Sequence, residues 1–474
     1  MHRPAIHPAL IIAPVILLLA CLWPPTHYLF PIDALSLRAL GLLGFTIILW
    51  ASEALEAAVT SLLVFLLLPL LNILPLEDAL ATLGSETVWQ LVLIYIVAEA
   101  IGQFHLHQRL SYHLLLLSAN NSRLLSGAFV LATVLFSFFI PVPVGKVSLI
   151  LPLVHESLDA LGFHADSNLS YLIYYIIGSM GLFSSVGILT GCPANLYSAH
   201  LMGQELFTTW NYGPWLLTFF PGVVANVLTI WLLLLLLWPP EQPRQNSSAF
   251  RLFLQQKLKD LGPLSLAEKK LSLILAVMIF LWATSGWLHN LSVTQACFLA
   301  VIALFLPGIS LLSFKQAATG ISWSVILVFA AGLAITRGLT ATGAAAWLGQ
   351  LVSSLFNNLP PTVAGVAVFI FLVAVRVAFT TPTAYAAALL PVVFAAGPNL
   401  GLNPVWLAAL TTIAAHTAFL YPMQSMTLMT VYTASSLKPM AVFRAGLVAT
   451  AATVVVTLVF AFYYWPLLGL SPFM

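Results

Sequence analysis

The residues best placed to do chemistry lie in one stretch, Phe136-Ser137-Phe138-Phe139-Ile140-Pro141-Val142-Pro143-Val144-Gly145-Lys146-Val147-Ser148. Two prolines, a glycine and a lysine fall within six residues, inside an otherwise apolar run. Proline removes a backbone donor, and in hydrocarbon the freed backbone groups find no water. Such a break is tolerated where backbone lines a protein cavity or a water-filled pocket. An ammonium at membrane depth is costly and marks function by default. The chemistry this suggests is electrostatic: a fixed positive charge and bare backbone dipoles at the tip of a re-entrant hairpin. The plainer alternative is a loop between two spans, with the lysine snorkelling to the interface.

His416 is the second candidate. It lies in Ala414-Ala415-His416-Thr417-Ala418-Phe419, five residues before a break at Tyr421-Pro422. An imidazole that titrates near neutrality can relay protons or bind an anion; the alternative is a buried neutral histidine bonded to a helix carbonyl. Arg376 reads as a scaffold salt bridge, a lipid contact or an entrance residue. Glu53 and Glu56 read as a structural cap or interfacial charge rather than as proton carriers, and Glu99 as interfacial. His105, His107 and Arg109 have no carboxylate or cysteine beside them, so they suit a solvated amphipathic helix better than a metal site. Cys21, Cys192 and Cys297 are far apart and form neither a metal spacing nor a disulfide framework. The motifs His-Glu-x-x-His, Gly-x-x-x-x-Gly-Lys and Gly-x-Ser-x-Gly are all missing from the sequence. Their absence argues against an enzyme and against an ATP-driven pump.

The elements that must position these residues follow from composition. The 474 residues are 61% hydrophobic and 6% charged, with a mean hydropathy of +1.03, whereas soluble domains carry about 25% charged residues. The chain is therefore an integral, polytopic membrane protein whose first partner is the lipid bilayer. Its net charge of +2 suggests no nucleic-acid partner. The run from Ala9 to Trp23 ends in Trp23-Pro24-Pro25, which is no small-residue cleavage site, so it reads as a first span.

Eleven apolar runs are long enough to span: 9–24, 36–52, 57–75, 88–102, 170–201, 213–238, 271–288, 292–312, 322–338, 403–432 and 441–467. Two more, 125–158 and 361–397, are interrupted by proline-containing tips and read as re-entrant hairpins. The one long polar stretch, 239–270, carries Arg244, Arg251, Lys257, Lys259, Lys269 and Lys270 and reads as a cytoplasmic linker. That places the N-terminus inside and the C-terminus outside a bacterial cytoplasmic membrane.

The linker divides two similar halves, 1–238 and 271–474. Leu83-Gly84-Ser85-Glu86-Thr87-Val88-Trp89 resembles Thr319-Gly320-Ile321-Ser322-Trp323. After each come a span, an amphipathic segment (105–117 and 342–356), a hairpin and a broken span. The matching spans lie five apart, so they cross in opposite directions, which is the layout of transporters built from inverted repeats. Helix N-termini at the two breaks would attract an anion.

Several stretches resemble the divalent anion/sodium symporter family, carriers of dicarboxylates, citrate or sulfate. Trp50-Ala51-Ser52-Glu53-Ala54 is similar to its Trp-x-Thr-Glu-Ala signature, Leu261-Gly262-Pro263-Leu264-Ser265 to its linker, and Ile321 to Ala334 to its Pro-Trp-x-x-x-Leu-x-Phe-Gly-Gly-Gly segment. Thr190-Gly191-Cys192-Pro193-Ala194-Asn195-Leu196 resembles its Gly-Thr-Pro-Pro-Asn-Leu turn. The resemblance implies an all-α homodimer in which a transport domain moves, elevator-like, against a scaffold. It also implies a substrate site built from a Ser-Asn-Thr triplet at each tip. Counting back from Leu151-Pro152 and Leu390-Pro391, the triplets here are Val142-Pro143-Val144 and Thr381-Pro382-Thr383. The second break has Pro422, Ser425 and Thr427 where the family often repeats Thr-Pro-Pro-Asn.

The expected substrate site is therefore Val142, Pro143, Val144, Lys146, Thr190, Gly191, Asn195, Thr381, Pro382, Thr383, Pro422, Ser425 and Thr427. The substrate is a small anion of the dicarboxylate or sulfate class, and no cofactor is expected beyond Na+ or H+ as coupling ion. Val142 and Val144 offer sodium only backbone oxygens, and Lys146 could stand in for the ion or contact the anion directly. A sodium ion could sit near Thr380, Thr381 and Thr383. The alternatives are a proton-coupled or exchange-type carrier using Lys146 and His416, or a non-transporting receptor or channel on the same fold.

Overall fold

The computed structural model describes residues 7–22, 32–104, 106–118, 121–205, 210–241, 247–356 and 358–474. Among them the chain is helical, and its only β pairings are single bridges, Ser285 with His289 and Leu402 with Phe473. His2, Arg3, Trp23-Pro24-Pro25, His105 and Arg244 lie outside the described residues.

Both interrupted apolar regions are helix pairs: Ser122–Phe136 followed by Pro143–Ala160, and Pro361–Val375 followed by Pro382–Asn399. Each returning helix starts on a proline in its first turn, where the missing N–H would have had no helical partner and φ is already set. The prolines that looked like helix breakers in sequence are thus helix starters. The two long runs expected to break do so. Asn168–Phe183 gives way to two tight turns through Gly191 before Pro193–Glu205. Pro404–His416 is followed by a turn at Pro422–Gln424 and then Met426–Thr433.

Among the described residues, six helices are long and apolar enough to cross a membrane alone, or seven if Leu76–Gly84 and Glu86–Gln103 form one bent span, against the eleven spans expected from the sequence. Ala9–Leu22, Ala57–Leu70 and Val293–Phe305 hold 14, 14 and 13 residues. At 1.5 Å per residue they reach roughly 20 Å, short of the roughly 30 Å hydrocarbon core. The spans drawn from sequence at 57–75 and 292–312 are longer than these helices for a local reason. Asn72 at φ +56° and Gly308 at φ +88° turn the chain before the apolar run is exhausted.

Three helices escaped the sequence reading: Ser247–Asp260 within the linker, and the short Leu76–Ala81 and Phe314–Thr319. One expectation is corrected. The segment at 105–117 does form a helix, Leu106–Ser118, but it is not simply solvated. Its Arg109 donates to Glu268 Oε1 at 2.8 Å and to the carbonyls of Leu261 and Gly262 at 2.7 Å each. It clamps the linker turn to the helix that follows. The guanidinium holds the Glu268 carboxyl down at about 2.

The hairpins and broken spans pack together through small residues. A Cβ added at Gly181 would come within 2.5 Å of Val147, and one at Gly178 within 2.8 Å of Leu428. These glycines let the first broken span lie against the first hairpin on one side and against the second break on the other.

Candidate functional site

Lys146 is wholly buried in the first turn of the helix returning from the first tip. Its ammonium donates to four neutral oxygens: Ser137 Oγ at 2.5 Å, Ser184 Oγ at 3.0 Å, Thr133 O at 3.1 Å and Ser185 Oγ at 3.2 Å. The serines have other partners for their protons, Ser137 and Ser184 also lying 3.1 Å from each other. Ser137 and Ser184 donate to Thr133 O, and Ser185 to Gly181 O. Each hydroxyl therefore turns a lone pair toward Lys146. The result is an acceptor-only cage, drawn from the first hairpin and the first break and filled by a side-chain cation. Sequence reasoning missed all three serines. An isolated serine in an apolar helix ordinarily bonds its own turn and carries no periodic signal. The adjacent pair Ser184-Ser185 just ahead of a break is the signal that could have found them.

Arg376 is also wholly buried. It lies in the tight turn that ends the incoming helix of the second hairpin. Its Nε donates to Ala415 O at 2.6 Å, one Nη to Gln424 O at 3.1 Å, and the other Nη to Phe379 O. It joins the second tip to both sides of the second break. None of the three roles expected from sequence describes it, since it meets only backbone carbonyls and is shut off from lipid and water.

The two hairpins correspond residue by residue. Thr133, Ser137, Val142 and Lys146 stand 239 residues before Leu372, Arg376, Thr381 and Tyr385. Tyr385 Oη donates to Leu372 O at 2.8 Å, as Lys146 Nζ does to Thr133 O. Each break is closed by a side-chain amide. Asn195 Nδ2 donates to Ser185 O at 2.7 Å and Ile188 O at 2.8 Å, while Gln424 Oε1 accepts from Leu420 N at 2.8 Å and Tyr421 N at 3.1 Å. The breaks touch: Phe183 and Phe419 rings lie 5.6 Å apart, and Tyr175 Oη donates to Phe419 O.

The sodium:sulfate symporter transmembrane region, as a family, matches residues 6–471. This chain belongs to that family. It is a membrane transport protein family and not one of enzymes. A sodium-dependent dicarboxylate transporter from Staphylococcus saprophyticus is 24% identical over 444 residues, 87% of this chain and 82% of that protein. Its counterpart from Staphylococcus aureus is 26% identical over 401 residues, 79% of this chain and 75% of that protein. A membrane protein of Cupriavidus necator is 25% identical over 455 residues, 91% of this chain and 88% of that protein. Among solved structures, the Alcanivorax borkumensis YdaH transporter aligns over 98% of both chains at 14% identity and a TM-score of 0.47, too distant to support an argument about the fold.

In this sodium:sulfate symporter family member the other expected site residues fall into two groups. Thr190, Gly191 and Asn195 line the first break, and Thr190 and Asn195 are buried. A Cβ at Gly191 would meet Ser185 O at 2.6 Å, so the close backbone approach there requires glycine. Val142, Pro143 and Val144 cap and begin the returning helix, Val142 making no side-chain capping bond. With Phe138, Phe139, Pro141 and Thr190 the first tip region closes on Met278 and Trp282 around a slit of about 10 Å³.

The second tip is open by contrast. Thr380, Thr381 and Thr383 border a cavity of about 420 Å³ together with Glu53, Glu56 and Ser322. Their hydroxyls do not share one partner: Thr381 caps Ala384 N at 3.3 Å and Thr380 donates to Trp50 O at 3.3 Å. Glu53 occupies the C-cap of Ala34–Ser52 and Glu56 the N-cap of Ala57–Leu70, with no side-chain capping bond from Glu56. Ser425 caps Leu428 N and lies 3.0 Å from Thr427 Oγ1. His416 is buried; its Nδ1 pairs with Thr412 O at 2.9 Å and its Nε2 has no partner.

Proposed function

We propose that this protein is a secondary active transporter of a small anion of the dicarboxylate or sulfate class. In this reading it works by an elevator mechanism in which hairpins and broken spans move against a scaffold. One observation carries the proposal. Among the described residues only three Lys, Arg, Asp or Glu side chains are buried: Lys146, Glu268 and Arg376. Glu268 has its partner in Arg109. Lys146 and Arg376 meet only neutral oxygens, and neither forms an ion pair among the described residues. Two buried cations without a counter-ion among the described residues, at the two hairpins and beside helix breaks, favour an anion over a cation as the transported species.

The family and the dicarboxylate-carrying relatives support the same substrate class. The expected architecture of two inverted repeats, with a cytoplasmic linker at 239–270, a homodimeric assembly and an N-terminus inside the cell, belongs to this reading. The anion would sit between the tips, bounded by Val142–Val144, Thr381–Thr383, Thr190–Asn195 and Pro422–Thr427.

The Lys146 cage favours the sodium-replacing role over direct contact with the substrate. The ammonium has three protons and four oxygens already around it, leaving none for an anion. Sodium coupling through this half is therefore not part of the mechanism we propose. A second reading, proton coupling through His416, is favoured by the unpartnered Nε2. Uptake of labelled succinate, citrate and sulfate into proteoliposomes, with sodium and proton gradients imposed separately, tests both. Anion uptake above protein-free vesicles is the expected result; a requirement for a proton gradient selects the His416 reading. If no small anion enters under any condition, the transport reading falls.

A further inference from the structure

We propose that the groove between the helix Leu266–Thr284 and the first hairpin tip binds one acyl chain of an anionic phospholipid, whose headgroup rests against Lys269. The inference goes beyond the transport reading and does not depend on it.

The groove is a cavity of about 590 Å³. One wall is a single face of Leu266–Thr284, on which Ser272, Ala276, Ile279 and Ala283 recur at helical spacing. Ser272, Ala276 and Ala283 are small and exposed, while Leu273 and Val277 next to them are bulky and exposed. The face is therefore hollow along one line. A second wall is Phe136, Phe139 and Ile140 of the first tip, and Leu106 and Leu110 of Leu106–Ser118 complete the lining.

What fills the groove follows from its lining, its length and its charge. Its polar side chains are Ser272 and His107, too few to hold water, each molecule of which needs about two to four polar partners. An empty void would forfeit the dispersion contacts of its walls. At membrane depth that leaves lipid hydrocarbon. From Ser272 to Ala283 the helix rises roughly 17 Å, about half of the roughly 30 Å hydrocarbon core, which is the share of a single leaflet. Lys269 stands three residues before Ser272 and seven before Ala276, on the same face one turn nearer the linker. It is exposed and forms no ion pair among the described residues, whereas the neighbouring Lys270 already donates to Gly308 O at 2.5 Å. A chain lying along the face puts its phosphate beside the Lys269 ammonium, and a basic residue at a membrane surface favours anionic lipid. Because Phe136, Phe139 and Ile140 belong to the first tip, the chain bears directly on the hairpin that carries Lys146.

The test uses purified full-length protein in phosphatidylcholine vesicles that hold a trace of phosphatidylglycerol carrying a diazirine midway along one acyl chain. After illumination, the labelled peptides are mapped by mass spectrometry. Adducts should concentrate on residues 272–283 and 136–140. Unlabelled phosphatidylglycerol should compete them away at about fivefold lower excess than phosphatidylcholine, the effect of one cation at the lipid surface. In Lys269→Gln that preference should disappear while both walls are still labelled; an unchanged preference contradicts the headgroup assignment. In Ala276→Phe, which fills the exposed groove, labelling of 136–140 should be lost. Even labelling of all exposed apolar helices, or equal competition by the two lipids, would overturn the site. So would chain-to-chain cross-links that protect both walls, since a second copy of the protein would then occupy the groove. Should a variant not fold, the wild-type map and its competition decide the matter alone.

Discussion

The two hairpins reach the same electrostatic end by different routes. The first turns on Val142-Pro143-Val144, has no hydroxyl at its tip, and draws its cation from the returning helix. The second turns on Thr381-Pro382-Thr383, caps its returning helix with Thr381, and draws its cation from the end of the incoming helix. The first surrounds an ammonium with three serine hydroxyls and one carbonyl, the second surrounds a guanidinium with three carbonyls. A planar fork suits carbonyls spread over two sides of a break, whereas a compact ammonium suits a small closed cage. What the two halves share is therefore the position of a charge relative to a tip and a break. The residue that delivers it is free to differ.

Removing either cation is the most direct way to break this comparison. Arg376→Ala strips three buried carbonyls of their donor and should cost about 3–5 kcal/mol. We expect loss of transport and a markedly lower unfolding temperature in detergent; wild-type stability would show that the second cage contributes nothing. Lys146→Thr should be milder, because the serines and the new hydroxyl can accept a sodium ion in place of the ammonium. Transport without sodium should drop by about tenfold or more and recover in part when sodium is added. Kinetics equal to wild type with and without sodium would sink the idea that the ammonium substitutes for an ion.

Asn195→Ala removes one of two donors from each of the carbonyls of Ser185 and Ile188, which keep their backbone N–H partners, and should destabilise by about 1 kcal/mol. Because Ser185 is also an arm of the Lys146 cage, transport should fall with stability; a thermal shift alone, with normal transport, would separate the break from the cage. Thr381→Val makes the second tip resemble the first and removes one helix cap. It should cost about 0.5–2 kcal/mol and weaken anion uptake, and uptake equal to wild type would mean that Thr381 does not bound the anion.

The smallest effect concerns the buried charge that does have a partner. Arg109 lowers the Glu268 carboxyl from 4.5 to about 2. A depressed carboxyl stabilises the fold above its unfolded value and loses that contribution as pH falls through the folded one. Glu268→Gln should lower the unfolding temperature by a few degrees at pH 7, with the gap to wild type narrowing between pH 4.5 and pH 2. A gap that widens on acidification would contradict this assignment.

Much of the fold could be read from the chain because hydrocarbon leaves few choices. All four apolar runs read as interrupted are divided into two helices, while Pro14, Pro69 and Pro221 sit inside continuous ones. Lys146 stood out because an ammonium at membrane depth is costly, although the sequence also allowed it to snorkel to the interface. Arg376 carried an equally strong signal, but sequence distance gave no hint that Ala415 and Gln424 would come to meet it from either side of a break about forty residues on. Backbone carbonyls have no letter in a sequence, so a cage built from them is invisible until the chain is folded. The same holds for Ser137, Ser184 and Ser185, ordinary residues that matter through where their lone pairs point. The helix Ser247–Asp260 was hidden in a polar linker whose basic residues drew attention to topology instead.

The lysine cage has one further consequence, for how the protein answers its surroundings. A free ion fills a site only when the medium supplies enough of it, so occupancy rises and falls with salinity. The ammonium of Lys146 is held beside its oxygens by its own side chain, at an effective concentration set by that tether and not by the medium. Its cage stays saturated in fresh water and in brine alike. In the transport reading proposed above, a carrier built this way would give up the ability to draw work from a sodium gradient at that site.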